Sequence, residues 1–184
     1  MIPTFINKYR LLLFVAPLFY FLVLTFAFSS CGIYSFTEKV SAIPDSVKTV
    51  RVRNLEQKVP YVNSQLIPSL SDRLRQKIVG QTKLTNTNSD NAHWDISGTI
   101  DDYSITTTGV TSANGQQQSS INRLNVRVHI TINKRLENKV EEHDVSRSFD
   151  FSARQSLQQA EAALLDEMIR NLTDEIFNKL FSNW

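Results

Sequence analysis

The feature that most constrains the fold is a run of ten residues that alternate strictly between apolar and polar side chains. It extends from Leu124 to Asn133 and reads LNVRVHITIN. Successive side chains of a β-strand point to opposite faces of a sheet, so this pattern predicts a strand with one buried and one polar face. The fold must therefore contain a sheet that is covered on one side only.

Three other stretches predict further strands of the same sheet. Residues 47–55 place Val50 and Val52 on one face, and Arg51 and Arg53 on the other. The strand that begins at Trp94 changes parity along its length, which predicts a β-bulge at Asp101 and Asp102. A turn at Asn138 leads into a return strand that contains Val145, Phe149 and Phe151. The polar stretch 109–120 between two of these strands is interpreted as a loop.

Two helices complete the predicted domain. The first has apolar residues at fourfold spacing, with Asn63 or Ser64 as its cap and Gly80 at its end; these residues are Leu66, Leu70, Leu74 and Ile78. The second follows a capping-box pattern formed by Ser156 and Gln159. The order is β-α-β-β-β-α. It predicts an α+β fold with two helices packed on one face of a roughly four-stranded, mostly antiparallel sheet.

The N-terminus has the pattern of an export signal. Lys8 and Arg10 precede an uncharged, apolar run of 18 residues, 11–28, and then two serines and Cys31. Cys31 is the only cysteine, and its position directly after such a run predicts that it is acylated and becomes the mature N-terminus. Two alternatives remain: the run is an uncleaved membrane anchor, or the thiol is an ordinary buried cysteine. The predicted organisation is a signal peptide in 1–30, a lipidated tether in 31–45 and a folded domain in 46–184.

Charge and motifs exclude several classes of function. Without residues 1–30 the chain has eighteen basic and eighteen acidic side chains, so no general attraction to nucleic acid is expected. The three histidines, at positions 93, 129 and 143, lack the spacing of a metal site. The chain contains no nucleophile elbow and no phosphate-binding loop. We therefore expect neither catalysis nor a metal or other cofactor.

Six short segments of the chain, in this order, are similar to segments of a known protein family. They are Cys31–Phe36, Pro60–Asn63, Gln81–Leu84, Gly98–Tyr103, Asn122–Leu124 and Ile176–Trp184. Together they resemble the lipopolysaccharide-assembly lipoprotein LptE family, in its Bacteroidetes form. The resemblance implies a lipoprotein on the periplasmic face of the outer membrane that plugs the LptD β-barrel and helps lipopolysaccharide to reach the surface. It provides no catalytic residues to carry over.

The strand parities also suggest a contact surface. Arg51, Arg53, Arg127, His129 and Arg147 are expected on the helix-free face of the sheet. Guanidinium groups match the geometry of phosphate and carboxylate groups, so this face is a candidate contact for lipid A phosphates or for acidic residues of the barrel. The alternative is a solvated face whose arginines are compensated by Asp95 and Asp101.

A second class of function is also open at this point. Lipid-anchored α/β domains of this size serve as periplasmic adaptors that activate a cell-wall synthase or assist an ABC-type lipid transporter. Because similar folds support both roles, the strand and helix pattern does not separate them.

Overall fold

The computed structural model describes residues 43–113 and 116–181. The predicted signal peptide, Cys31 and nearly all of the predicted tether lie outside these residues. The described elements are β1 (Thr49–Val52), β2 (Glu56–Gln57), α1 (Leu66–Gln81), β3 (Thr85–Asn86), β4 (Trp94–Ala113), β5 (Gln116–Lys134), a 3-10 turn (Arg135–Glu137), β6 (Lys139–Ser152) and α2 (Leu157–Phe181).

These elements confirm the predicted α+β class with two helices. The sheet order is β3-β1-β4-β5-β6, and β2 pairs separately with β4. The long strands β4, β5 and β6 are antiparallel, whereas the β1–β3, β1–β4 and β2–β4 pairs are parallel. The described sheet thus has six strands rather than about four. The two additional strands, β2 and β3, have two residues each, which is too short to leave a periodic pattern in a sequence.

The predicted β-bulge is confirmed. Ile100 pairs with Val128, but the next pair joins Asp102 to Arg127, so Asp101 is the extra residue. After this shift Tyr103 points to the same side as Ile100, and the strand keeps its apolar residues on the helix-covered face. The bulge therefore explains why the apolar parity changes partway along β4.

The prediction of a loop over residues 109–120 is wrong. Strands β4 and β5 continue their pairing as far as Ala113 and Gln116, with further register shifts on either side of Gly109. An antiparallel ladder satisfies its own backbone hydrogen bonds whatever the side chains are, so a polar composition does not end a hairpin whose base is already fixed.

The helices pack their apolar stripes on one face of the sheet. In α1 the four residues at fourfold spacing are fully buried, and in α2 the buried stripe includes Met168, Leu172 and Ile176. The capping box of α2 is present: the Gln159 side chain accepts from the backbone N–H of Ser156 at 3.1 Å, and the Ser156 hydroxyl accepts from the N–H of Gln159 at 3.3 Å. The core lies between this helical layer and the sheet.

The ends of α1 differ from the prediction. The helix includes Gly80 and ends at Gln81, where the Thr82 hydroxyl donates to the carbonyl of Ile78 at 2.6 Å. At its start the N-cap position belongs to Gln65, which makes no side-chain cap. Asn63 instead accepts the N–H of Gln65 through Oδ1 at 2.9 Å. A hydroxyl on the last turn therefore ends this helix, rather than a glycine.

Candidate functional site

The candidate site is the side of the sheet that the helices leave uncovered, which we call the polar face. The strand registers place on it alternate side chains of β1, β4, β5 and β6. Nearly all are charged or hydrogen-bonding groups. They include Arg51; Asp95, Ser97, Thr99, Asp102, Ser104 and Thr106; Arg123, Asn125, Arg127, His129, Thr131 and Asn133; and Glu142, Asp144, Ser146, Ser148 and Asp150.

One end of the polar face is organised around Asp95, whose side chain is 6% exposed. Both carboxylate oxygens accept from Arg51, through Nε at 3.0 Å and Nη2 at 2.7 Å. Arg53 donates to the same two oxygens, at 3.1 and 2.6 Å. A third guanidinium, of Arg135, lies 4.0 Å away, and Asp90 forms a second ion pair with Arg51. We call this group the Asp95 cluster.

The pKa of Asp95 reflects these partners. Burial by itself would raise the pKa, but the hydrogen bonds from Arg51 and Arg53 outweigh it and hold the pKa well below its ordinary value. The carboxylate therefore stays ionised, and it joins strand β1 to strand β4 through charge-assisted, two-pronged hydrogen bonds.

The middle of the polar face has looser pairs. The Arg127 guanidinium is 3.9 Å from the carboxylate of Asp102 and its side chain is 52% exposed. His129 contacts Asp144 through Nδ1 at 2.8 Å. Arg123 binds Asp150 with two hydrogen bonds, of 2.6 and 2.8 Å. Each of these basic side chains already has a carboxylate nearby, but Arg127 keeps about half of its side chain accessible. Of the two carboxylates expected to compensate the arginines, Asp95 does so, whereas Asp101 lies 3.7 Å from Lys58.

The expectation that Arg147 lies on the polar face is wrong. Arg147 pairs with Val126, whose side chain is buried under the helices, and it shares its parity on β6 with Val145 and Phe149. Its guanidinium donates to the carboxylate of Glu175 on α2. Because β6 lies at the edge of the described sheet, a long side chain on the helical side still reaches water past the helix. The sequence thus places four of the five candidates together and misplaces the fifth.

A second buried carboxylate, Glu161, lies on the helical side of the sheet and was not predicted from the sequence. It is 2% exposed, and its partners come from two other parts of the fold. Tyr103 of β4 donates to Oε1 at 2.7 Å, while Tyr61 and Asn63 of the loop before α1 donate to Oε2 at 2.9 and 3.3 Å. We call these four residues the Glu161 cluster.

The Glu161 cluster is held together by neutral donors. Burial raises the pKa of Tyr103, and its hydrogen bond to Glu161 raises it further, so the phenol stays protonated and keeps donating. The two tyrosine rings also meet edge to face, with centroids 6.0 Å apart. The sequence did contain a signal for this site, because Glu161 interrupts the apolar stripe of α2 four residues after Leu157.

Two further properties of the described ranges bear on function. Within 43–113 and 116–181, no group of three or more His, Cys, Asp or Glu side chains is arranged to hold a metal ion. Among the helices of these same ranges, none is both long and apolar enough to cross a membrane.

Solved structures similar to this chain include two bacterial lipoproteins. A minor lipoprotein from Acinetobacter baumannii is 16% identical, with a TM-score of 0.46, over 74% of this chain and 94% of that one. The rare lipoprotein B from Shewanella oneidensis is 14% identical, with a TM-score of 0.47, over 72% of this chain and 93% of that one. These scores and identities are too low to carry an argument. A search of curated proteins gave no match.

The elements described above define a two-layer α+β domain with one helix-covered and one polar sheet face. The model of the LptE family, described as lipopolysaccharide-assembly, matches residues 47–180 of the chain, which includes every described helix and strand except the last residue of α2. The chain belongs to the LptE family, and its role lies in lipopolysaccharide assembly.

Proposed function

We propose that this protein is an outer-membrane lipoprotein that plugs an LptD-like β-barrel and helps lipopolysaccharide to reach the cell surface. The observation that carries the proposal is the family match over residues 47–180. In this proposal acylated Cys31 anchors the chain on the periplasmic face of the membrane, and the folded domain acts by binding rather than by catalysis.

The polar face supports a location inside a barrel. The lumen of an outer-membrane barrel is polar, so a domain that fills it must offer hydrogen-bonding and charged groups. Ser104, Thr106, Asn125 and Ser148 provide such groups over the centre of the sheet, and several already hydrogen-bond across strands. On the opposite face, α1 and α2 bury the apolar side chains of the described strands in the core.

Within this surface we propose that Arg53 and Arg127 make the contacts with lipid A phosphates or with acidic groups of the barrel. Their side chains are 53% and 52% exposed, so each has donors that face water. Arg51 is 13% exposed and is held by Asp90 and Asp95, so its part is to position the Asp95 cluster. His129 lies between Arg127 and the acidic residues of β6, and belongs to the same surface.

The test of this surface uses the double variant Arg53→Ala with Arg127→Ala. Loss of two charge-assisted contacts is expected to weaken lipopolysaccharide binding or barrel capture by about tenfold or more. Arg147→Ala is the control, since it removes an arginine that is exposed to a similar extent, 48%, but lies on the helical side, where it pairs with Glu175. If the double variant folds normally and keeps both activities, the proposed contacts are wrong.

Copurification through the lipidated protein tests the partner. Recovery of a large outer-membrane barrel supports the proposal, whereas recovery of a cell-wall synthase or an ABC-type transporter supports the adaptor role instead. The anchor is tested separately by mass spectrometry of the mature chain. A lipid-modified N-terminal Cys31 is expected, and a chain that retains Met1 contradicts cleavage.

A further inference from the structure

The two edges of the described sheet differ: one is β3, which has two residues, and the other is the long strand β6. Strand β6 pairs with β5 over fourteen consecutive residue pairs, from Lys139 to Ser152, without a register shift. The β4–β5 ladder, by contrast, has three shifts. Natural edge strands are usually short, bulged or interrupted by proline, because an open edge invites pairing with another chain. β6 is long and regular, and it contains neither proline nor glycine.

The outer edge of β6 has free backbone groups in the described part of the chain. No described strand pairs with this edge. Outside its ladder with β5, the described residues give β6 one backbone hydrogen bond, from the N–H of Gln155 to the carbonyl of Ser152. In an antiparallel edge strand every second residue directs its N–H and C=O outward, so about seven residues offer a donor and an acceptor there. This row of groups can accept one more strand.

The side chains beside this edge are mainly acidic. Strand β6 contains four carboxylates and two cations. On the polar face, Glu142 and Asp144 are exposed and two residues apart, and His129 is the basic side chain that contacts them. On the other face, Glu141 is neutralised by Lys134 and Lys139, which lower its pKa to about 2. The unneutralised charge at this edge is thus negative.

We propose that the outer edge of β6 is a docking site for an extended, basic segment of another protein, which adds to the sheet as one further strand. Backbone hydrogen bonds provide the pairing, and lysine or arginine side chains of the added strand lie beside Glu142 and Asp144. A second copy of this chain fits the edge less well. A symmetric pairing of β6 with β6 brings two acidic strands together, and like charges on adjacent strands oppose pairing. The proposal does not depend on the identity of the barrel partner.

The experiment uses the full lipidated chain in detergent and a blocked ten-residue peptide of alternating lysine and valine. Hydrogen exchange followed by NMR is expected to show new protection at every second amide of β6. A peptide of the same sequence with alternate amides N-methylated keeps the charge but lacks the donors for pairing, and it is expected not to protect them. Equal binding of both peptides would show attraction by charge alone and overturn the proposal.

The charge requirement is tested with Glu142→Lys together with Asp144→Lys. These substitutions are expected to weaken binding of the lysine peptide by about tenfold or more. The matched control is Asp166→Lys with Glu167→Lys, two exposed residues of α2, which is expected to leave binding unchanged. An unchanged affinity in the β6 variant would contradict the proposal.

The free protein provides a final check. If the outward amides of β6 are already protected before any peptide is added, the edge is covered, either by a segment of this chain or by a second copy. Sedimentation measurements then distinguish a monomer from a dimer, and either result overturns the proposal of a partner strand.

Discussion

Among the described residues, two carboxylates are buried, on opposite sides of one sheet, and they are stabilised in different ways. Asp95, on the polar face, is bound by two arginines, whereas Glu161, under the helices, accepts hydrogen bonds from two tyrosines and an asparagine. The difference follows from access to water. Long cationic side chains can cover Asp95 while part of each remains solvated, but the helix-covered side encloses its groups and favours neutral donors with little desolvation cost.

The two clusters also connect different parts of the fold. The Asp95 cluster joins neighbouring strands β1 and β4, which are already linked by backbone hydrogen bonds. The Glu161 cluster joins β4, α2 and the loop before α1, which are far apart in sequence. Loss of Glu161 therefore removes the hydrogen bonds that join α2 to the other two elements at this point, and we expect the helical side to be the more sensitive of the two.

The largest effect is expected for Glu161→Ala. It removes the acceptor of three hydrogen bonds and leaves the Tyr103 hydroxyl without its partner, so the free energy of unfolding is expected to fall by about 3 kcal/mol. Urea unfolding measures the change. The control is Glu167→Ala on the exposed side of α2, for which a change below about 0.5 kcal/mol is expected. Equal effects of the two substitutions would contradict this account of the Glu161 cluster.

A smaller loss, of about 2 kcal/mol, is expected for Asp95→Asn. Arg53 can turn to water and Arg51 retains Asp90, so the cations are not left buried without partners. The same urea titration checks the value, with the exposed Asp144→Asn as control. A loss greater than that of Glu161→Ala would reverse the proposed ranking of the two clusters.

The clusters are expected to respond to opposite extremes of pH. The folded pKa of Asp95 is lowered from 3.8, so its stabilisation is present above that value and is lost as pH falls through it; about 1 kcal/mol is lost at pH 3. The folded pKa of Tyr103 is raised above 10.0, so its stabilisation is lost as pH rises above 10. Thermal unfolding at pH 3, 7 and 11 measures the loss of stability on the acid side and on the alkaline side, which we call the acid and alkaline limbs.

Two variants assign these limbs to their groups. Asp95→Asn is expected to reduce the loss of stability at acid pH without abolishing it, because Glu141 and Asp150 also have lowered pKa values. Tyr103→Phe is expected to reduce only the loss at alkaline pH. A variant that flattens the limb assigned to the other residue would show that the assignment is wrong.

The smallest effect is expected for Tyr61→Phe. Tyr61 is 48% exposed and Glu161 Oε2 keeps Asn63 as a donor, so the free energy of unfolding is expected to change by about 0.5 kcal/mol. Tyr103→Phe, which removes a less exposed hydroxyl, is expected to cost about 1.5 kcal/mol. Denaturant midpoints of the two variants compare the two losses of stability. Equal midpoints would mean that burial does not set the strength of these hydrogen bonds.

Local patterns in the sequence predicted much of the fold because burial imposes a period on each element. The alternation from Leu124 to Asn133, the spacing of leucines in α1, the capping box at Ser156 and the parity change near Asp101 each appear as expected. The errors in the strands have two causes. Residues 109–113 and 116–120 pair because they extend a hairpin whose base is already fixed, despite their polar composition. β2 and β3 attach to strands that are distant in sequence, which no local pattern reports.

The candidate site was predicted less well than the fold. The parity of β1 and β5 correctly groups Arg51, Arg53, Arg127 and His129, because those strands alternate regularly. Arg147 was assigned to the wrong face. It has the same parity on β6 as the apolar residues Val145 and Phe149, and this parity places it on the helix-covered face. The lipid anchor at Cys31 stays a prediction, since it lies outside the described residues.

The amino-acid sequence by itself determined which side chains face the core, since a buried face repeats every second residue in a strand and every three to four in a helix. It also determined membership of a family. Only the tertiary structure decided which distant groups come together. It pairs Asp95 with two arginines and Glu161 with two tyrosines, and it leaves β6 without a neighbour on its outer side among the described strands. Those contacts join residues 42 to 100 positions apart, and no periodicity along the chain encodes such distances.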